Sequence, residues 1–284
     1  MLRIGNLSLA IPFIQAPLSG YSDYAMRRLS MEKGAPLCFT GVMLAKSAAN
    51  PKVLRKKQFR PGTDESPVGA QILGREPLTM AAAAEALVNA GYDIIDINLA
   101  CPAPKVLRRQ RGGYLLNEPL LALEIFRRVR DSVKCPVTAK LRSGYDNSQE
   151  SKDNFWKTAE LLISEGIDAA AVHGRTVSQR YRDKADWNFI KAVKKRFPNT
   201  VILGSGDLFD AAETLNKIKA ADIDGAVIAR GAIGNPWIFS ELKAMYLNET
   251  PPPAPSIKEQ KETMLRHLNM ILQLYPEKKA VGYF

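Results

Sequence analysis

Short apolar runs alternate along the chain with longer stretches in which apolar residues recur every three to four positions. The runs are Phe13–Ala16, Leu37–Thr40, Val68–Leu73, Ile94–Asn98, Val137–Leu141, Ala169–His173, Val201–Gly204 and Gly225–Ala229, with starts 24 to 43 residues apart. Each has the length and the Val, Ile, Leu and Ala content of a strand buried on both faces. Amphipathic stretches fill the gaps, among them Pro77–Ala90, Pro119–Val133, Asn154–Glu165, Trp187–Arg196 and Ala211–Lys219. Asn117 and Pro119 mark a helix start, and Gly91 and Gly166 follow the ends of two others. Eight strand–helix units predict an α/β fold, and eight parallel strands close most economically into a (β/α)8 TIM barrel. No G-x-G-x-x-G follows the first strand, which disfavours a Rossmann domain.

The barrel is expected to occupy residues 1–248, with Asn235–Tyr246 as its last helix. Pro251-Pro252-Pro253-Ala254-Pro255 then predicts a stiff extended linker over 249–256. From Ile257 to Leu274 apolar residues return at helical spacing (Met264, Leu265, Leu268, Ile271, Leu272), so 257–284 is expected to open a small C-terminal helical domain. Only the beginning of that domain is expected here.

Composition narrows the class. No apolar run is long enough to cross a bilayer, and the first residues lack the apolar core and cleavage site of a secretory signal. Three cysteines, Cys38, Cys101 and Cys135, are odd in number and widely spaced, which argues for a reducing cytoplasm and against a disulfide framework or a metal site. The formal net charge of +11 favours a polyanionic partner, with nucleic acid first among candidates. Lys52, Arg55, Lys56, Lys57 and Arg60 form one basic knot, and Lys105, Arg108, Arg109 and Arg111 another. Lys191, Lys194, Lys195 and Arg196 read as the solvated face of a helix. A monomer is the expected state.

Polar groups and glycines gather at the strand ends. Asn98 and Cys101 follow the fourth strand, where Pro102 and Pro104 stop the ladder and stiffen the loop. Beside a basic knot, Cys101 reads as a reactive thiol, whereas Cys38 and Cys135 read as structural. Lys140, flanked by apolar residues, calls for a negative partner, and a ligand contact is favoured over a salt bridge. His173, one of two histidines, sits at a strand end suited to ligand binding. Gly204-Ser205-Gly206 and Arg230-Gly231 follow strands seven and eight, where barrels hold phosphate on backbone N–H groups.

Together these segments resemble the tRNA-dihydrouridine synthase family of flavoproteins. The matching pieces are Ala16-Pro17-Leu18-Ser19-Gly20, Asp96 through Lys105, and Lys140-Leu141-Arg142. His173-Gly174-Arg175-Thr176 through Gln179-Arg180-Tyr181 to Ala185-Asp186-Trp187, Gly204 through Asp207, and Ala229-Arg230-Gly231-Ala232 complete the set. The resemblance implies an FMN-bearing barrel that reduces uridine in tRNA to 5,6-dihydrouridine, with NADPH as reductant. It implies that Cys101 donates a proton to C5 after hydride reaches C6. By the same carry-over Pro17, Leu18, Gln71, Lys140, His173, Ser205, Gly206, Asp207, Ala229, Arg230 and Gly231 surround FMN. Asn98, Lys105, Arg142 and Arg175 are then expected near the substrate. Two positions depart from the family pattern: Ala100 stands where glycine is usual, and Ser205 where asparagine is frequent.

Two other functions fit parts of the pattern. An FMN barrel acting on a free pyrimidine or another small enone shares the strand-end groups but leaves the basic knots without a role. A non-catalytic RNA-binding barrel accounts for the charge, and predicts salt-sensitive RNA affinity without flavin.

Overall fold

The computed structural model describes residues 1–283. The chain opens with a hairpin, β1 (Leu2–Ile4) and β2 (Leu7–Leu9), paired antiparallel through a two-residue turn at Gly5-Asn6. The barrel strands follow: β3 (Phe13–Gln15), β4 (Cys38–Phe39), the short β5 (Met43–Leu44), β6 (Val68–Leu73), β7 (Ile94–Leu99), β8 (Val137–Arg142), β9 (Ala169–His173), β10 (Ile202–Ser205) and β11 (Gly225–Ile228). All pair in parallel, and β4 joins both β3 and β6, which closes a ring of eight. β5 pairs with β6 beyond β4, separated from it by Thr40-Gly41-Val42. Every residue of β6 and β7 is buried, which explains why their sequences show apolar runs rather than strict alternation.

The outer layer holds α1 (Tyr24–Glu32), α2 (Ala45–Ala48), α3 (Pro51–Leu54), α4 (Pro77–Asn89), α5 (Pro104–Leu107), α6 (Pro119–Ser132), α7 (Gln149–Ser164), α8 (Trp187–Arg196), α9 (Ala211–Ala221) and α10 (Ile238–Tyr246). Sequence fixes several starts. Pro77 and Pro119 stand at the head of α4 and α6, where a missing N–H costs nothing. Asp186 and Asp210 accept from the N–H groups of Phe189 and Glu213 at 3.0 and 2.8 Å. Helix α7 begins five residues before the expected Asn154, because Ser148 caps it by accepting from the Ser151 N–H at 3.2 Å. On α6 the buried Ala122, Ile125, Phe126 and Val129 form the stripe that faces the sheet.

The hairpin, absent from the sequence expectation, plugs the N-terminal end of the barrel. Leu2, Ile4 and Leu9 pack with the inward residues Ile14, Phe39, Ile94, Ala171, Leu203 and Val227. Beyond the proline segment, α11 (Ile257–Leu274) and α12 (Glu277–Tyr283) follow. Helix α11 docks on α1: Ile271 is buried against Ala25 and Ala280, Arg266 pairs with Glu32, and Glu259 accepts from Lys33 and Trp237 at 2.9 and 2.8 Å. Among the described residues no helix is long and apolar enough to cross a membrane.

Candidate active site

Register brings the strand-end groups to one level. Asn98 on β7 lies opposite Lys140 on β8; Arg142 lies opposite His173 on β9, which lies opposite Ser205 on β10. Above this ring the βα loops enclose a cavity of about 290 Å³. Its wall includes Pro17, Leu18, Gln71, Asn98, Cys101, Lys140, Arg142, His173, Ser205, Gly206, Asp207, Ala229, Arg230 and Gly231. Every expected cofactor residue is therefore brought together, with Cys101, Asn98 and Arg142. Lys105 and Arg175 are not in this wall. Lys105 is exposed on α5. Arg175 is buried, with its guanidinium donating to the carbonyls of Arg182 and Asp183 and, at 2.8 Å, to Asp207 Oδ2.

The cysteine loop is anchored at each peptide group. Asn98 Oδ1 accepts from the N–H groups of Ala100 and Cys101 at 3.1 and 2.9 Å. Arg142 Nε donates to the Ala100 carbonyl at 3.0 Å, and the Gly113 N–H donates to that of Cys101 at 3.1 Å. Burial pushes the Cys101 thiol above its ordinary range; a backbone N–H and Arg142 oppose this without cancelling it. The thiol is therefore protonated at neutral pH. Cys38, on β4 itself, is fully buried, in keeping with an inert role.

The opposite chemistry marks the loops after β10 and β11. The N–H groups of Gly206, Asp207, Arg230 and Gly231 have no acceptor among the described residues. Gly206 has a φ of +116°, and a Cβ on Gly231 would stand 2.0 Å from the Leu208 carbonyl oxygen, so side chains are excluded there. The Arg230 guanidinium lies 3.5 Å from Asp207 Oδ1 and stacks over Tyr181 and Phe209, with 4.8 and 5.2 Å from its carbon to the ring centres. Burial works to raise the Asp207 carboxyl, but the Ala185 N–H and the Arg175 and Arg230 guanidinia hold it below the usual carboxylate range.

Lys140 makes no salt bridge with any described residue. Burial, reinforced by the neighbouring Arg142 charge and opposed by that of Asp96, pulls its ammonium down to about 8. His173 is held far below 6.5, by burial first and then by Lys140 and three arginines, so its ring is neutral. Its Nδ1 accepts from the Arg175 N–H at 3.2 Å, which leaves Nε2 as the N–H donor. The cavity thus offers an excess of donors and positive charge, the complement of an anionic group and of carbonyl oxygens.

Sequence reasoning missed Tyr181 and Phe209 as parts of this mouth. Both are more than half exposed, at 60% and 51%, although aromatic. An aromatic inside the basic Arg180-Tyr181-Arg182 segment was the available signal. The apolar wall residues Val42, Leu73 and Val106 had none, because they look like any other core position.

The family model for dihydrouridine synthases matches residues 14–284. A probable tRNA-dihydrouridine synthase of Rickettsia conorii is 34% identical, over 99% of this chain and 84% of its own length. The tRNA-dihydrouridine synthase B of Pasteurella multocida is also 34% identical, over 98% and 83%. Among solved structures, a 2-naphthoyl-CoA reductase complex aligns with TM-score 0.68 at 12% identity, over 87% of this chain and 52% of that one. Morphinone reductase in complex with tetrahydroNAD aligns with TM-score 0.60 at 15% identity, over 91% and 92%. At those identities the two structures speak for the barrel fold alone. With the family match running from β3 to the last residue, the chain belongs to the dihydrouridine synthase family of FMN-dependent oxidoreductases.

Proposed function

We propose that this enzyme reduces a uridine of tRNA to 5,6-dihydrouridine, with FMN held in the barrel mouth and NADPH as the reductant. The residues present fit the cofactor. Four unpartnered backbone N–H groups, two glycines where a Cβ cannot stand, and Arg230 form a cradle for its phosphate. Lys140 supplies a cation that makes no salt bridge with a described residue, and the His173 Nε2–H and the Ser205 hydroxyl supply neutral polar contacts. Pro17, Leu18 and Ala229 contribute apolar wall. Asp207 fixes the direction of Arg230 and is itself fixed by Arg175.

FMN held there would supply hydride chemistry at C6 of the uracil ring. The addition leaves an electron pair at C5 conjugated with the O4 carbonyl, and the Cys101 thiol gives its proton to C5, forming the second new C–H bond. The thiolate left behind regains a proton from water. Asn98 and Arg142, on the same wall as Cys101, meet the base. Lys105 and its basic neighbours outside the cavity meet the RNA backbone, where lysine and arginine neutralise phosphates. A stacked uridine cannot reach a cavity of this depth, so the nucleotide is turned out of the helix to enter.

The observation that carries this reading is the pairing, in one cavity, of an anion cradle with a protonated thiol. Its test is mass-spectrometric mapping of dihydrouridine in unmodified tRNA transcripts, and in tRNA from a strain lacking the modification, incubated with the enzyme and NADPH. Dihydrouridine at defined positions is expected, and Cys101→Ala should lower its rate by about 10²- to 10⁴-fold while flavin content stays constant. Turnover of free pyrimidines with untouched tRNA would overturn the substrate, and an unaffected Cys101→Ala would overturn the proton donor.

A further inference from the structure

From the cavity wall at Asn98 and Gln71 a line of side-chain hydrogen bonds runs inward to Asp96 and Thr138. Thr138 Oγ1 donates to Asp96 Oδ1 at 2.6 Å, and Gln71 Nε2 donates to Asp96 Oδ2 at 2.6 Å. The other end of the same amide, Gln71 Oε1, accepts from Asn98 Nδ2 at 2.7 Å. The other end of that amide, Asn98 Oδ1, accepts from the N–H groups of Ala100 and Cys101. All four side chains are buried, at 6% exposure or less. The line crosses three adjacent strands: Gln71 stands opposite Asp96 in the β6–β7 register, and Asp96 opposite Thr138 in the β7–β8 register.

A primary amide can be turned end for end at almost no cost in shape, so packing alone does not choose between the two orientations. Burial raises the Asp96 carboxyl, and the hydrogen bonds from Gln71 and Thr138 and the Lys140 charge oppose that; in the structure both of its oxygens accept, from Gln71 Nε2 and Thr138 Oγ1. Asp96 therefore forces Gln71 to point its NH2 inward and its oxygen at Asn98, which in turn forces Asn98 to point its oxygen at the cysteine loop. Reversing either amide would set NH2 against N–H, leaving buried donors without acceptors. We propose that Asp96 is a positioning residue: through the fixed polarity of Gln71 and Asn98 it holds the Cys101 loop in its reactive geometry. The functional meaning of this line rests on the proposed role of Cys101; the loop geometry does not.

What the line requires of position 96 is an oxygen acceptor toward Gln71, not a charge. Asparagine keeps one, with its NH2 turned to the Thr138 oxygen, whereas leucine of similar volume keeps none. The test compares Asp96→Asn, Asp96→Leu and Gln71→Leu as flavin-loaded enzymes, reading two quantities. The first is the iodoacetamide alkylation rate of Cys101 against pH, followed by peptide mass spectrometry, with the partly buried Cys135 as internal control. The second is the kcat and KM for dihydrouridine formation. Asp96→Leu and Gln71→Leu should each free the loop, changing the alkylation rate of Cys101 by about tenfold and lowering kcat by about tenfold with KM for tRNA unchanged. Asp96→Asn should restore most of both. If Asp96→Asn is as impaired as Asp96→Leu, the carboxylate acts by charge on nearby Lys140 and the proposal fails. If all three variants alkylate Cys101 at the native rate with native flavin content and melting temperature, the line does not position the loop and the proposal also fails. Absence of dihydrouridine with the native enzyme would refute the proposed reaction but leave the alkylation result to decide this point.

Discussion

At the scale of single residues the cavity holds more positive charge than its own carboxylates offset. Lys140 is the clearest case. Its ammonium is pulled to about 8 from the ordinary 10.5, chiefly by burial. Between those values the unfolded chain holds a proton that the folded chain has released, so stability from this group rises with pH across the window; below about 8 the cost of the buried cation is fully present. An anionic ligand reverses the preference, because it favours the ammonium. Cofactor affinity should then fall by up to about tenfold per pH unit above pH 8, as the empty site must regain its proton before binding. Lys140→Met should bind FMN more weakly at pH 7 and show no such slope, which titration by flavin fluorescence quenching would reveal. A slope that survives in Lys140→Met would assign it to another group. His173 adds nothing to that profile, since it stays neutral. The identities of these residues were legible in the sequence because each sits at a strand end. Their partners were not: nothing in Asp-Ile-Asn says that Asp96 turns inward to Gln71 and Thr138, because a residue's hydrogen bonds depend on strands 25 and 42 positions away.

At the scale of elements, burial on both faces made β6, β7 and β8 readable, since continuous apolar runs leave few other fates. The hairpin and α1 escaped. The hairpin strands are as short as β3 but each has an exposed middle residue, Arg3 and Ser8, so no apolar run marks them, and α1 is interrupted on its apolar side by a buried arginine. That arginine does structural work. Arg27 is fully buried, its Nε and Nη2 donate to the two oxygens of Glu65 at 2.8 Å each, and Nη1 donates to the Ser22 carbonyl at 3.2 Å. The pair fastens α1 to the segment leading into β6. Removing one partner strands the other charge in a dry site, so Arg27→Met should destabilise the protein by about 3–5 kcal/mol in urea unfolding. The double variant Arg27→Met, Glu65→Leu should recover part of that loss, limited by the Gly62 N–H that Glu65 also accepts at 2.6 Å. Equal losses in the single and double variants would show that packing, rather than the stranded charge, sets the cost.

At the scale of the whole molecule the charge excess is unevenly used. The helix face of Lys191, Lys194 and Arg196 is largely spent on the Ala220 carbonyl, Asp224 and Glu160. Arg108 and Arg109, by contrast, are exposed near the cysteine loop. Helix α11, tied to α1 by ion pairs and by Ile271, stands as an outward extension of the barrel. The hairpin at the other end has a further consequence. With Leu2, Ile4 and Leu9 packed into the base, the cavity opens among the described residues at the mouth formed by the βα loops. Under the proposed function, NADPH and the uridine both need the same flavin face and must then use that mouth in turn, the first product leaving before the second substrate enters. Initial rates measured at several fixed RNA concentrations should give parallel double-reciprocal lines in NADPH, whereas intersecting lines would require room for both guests at once.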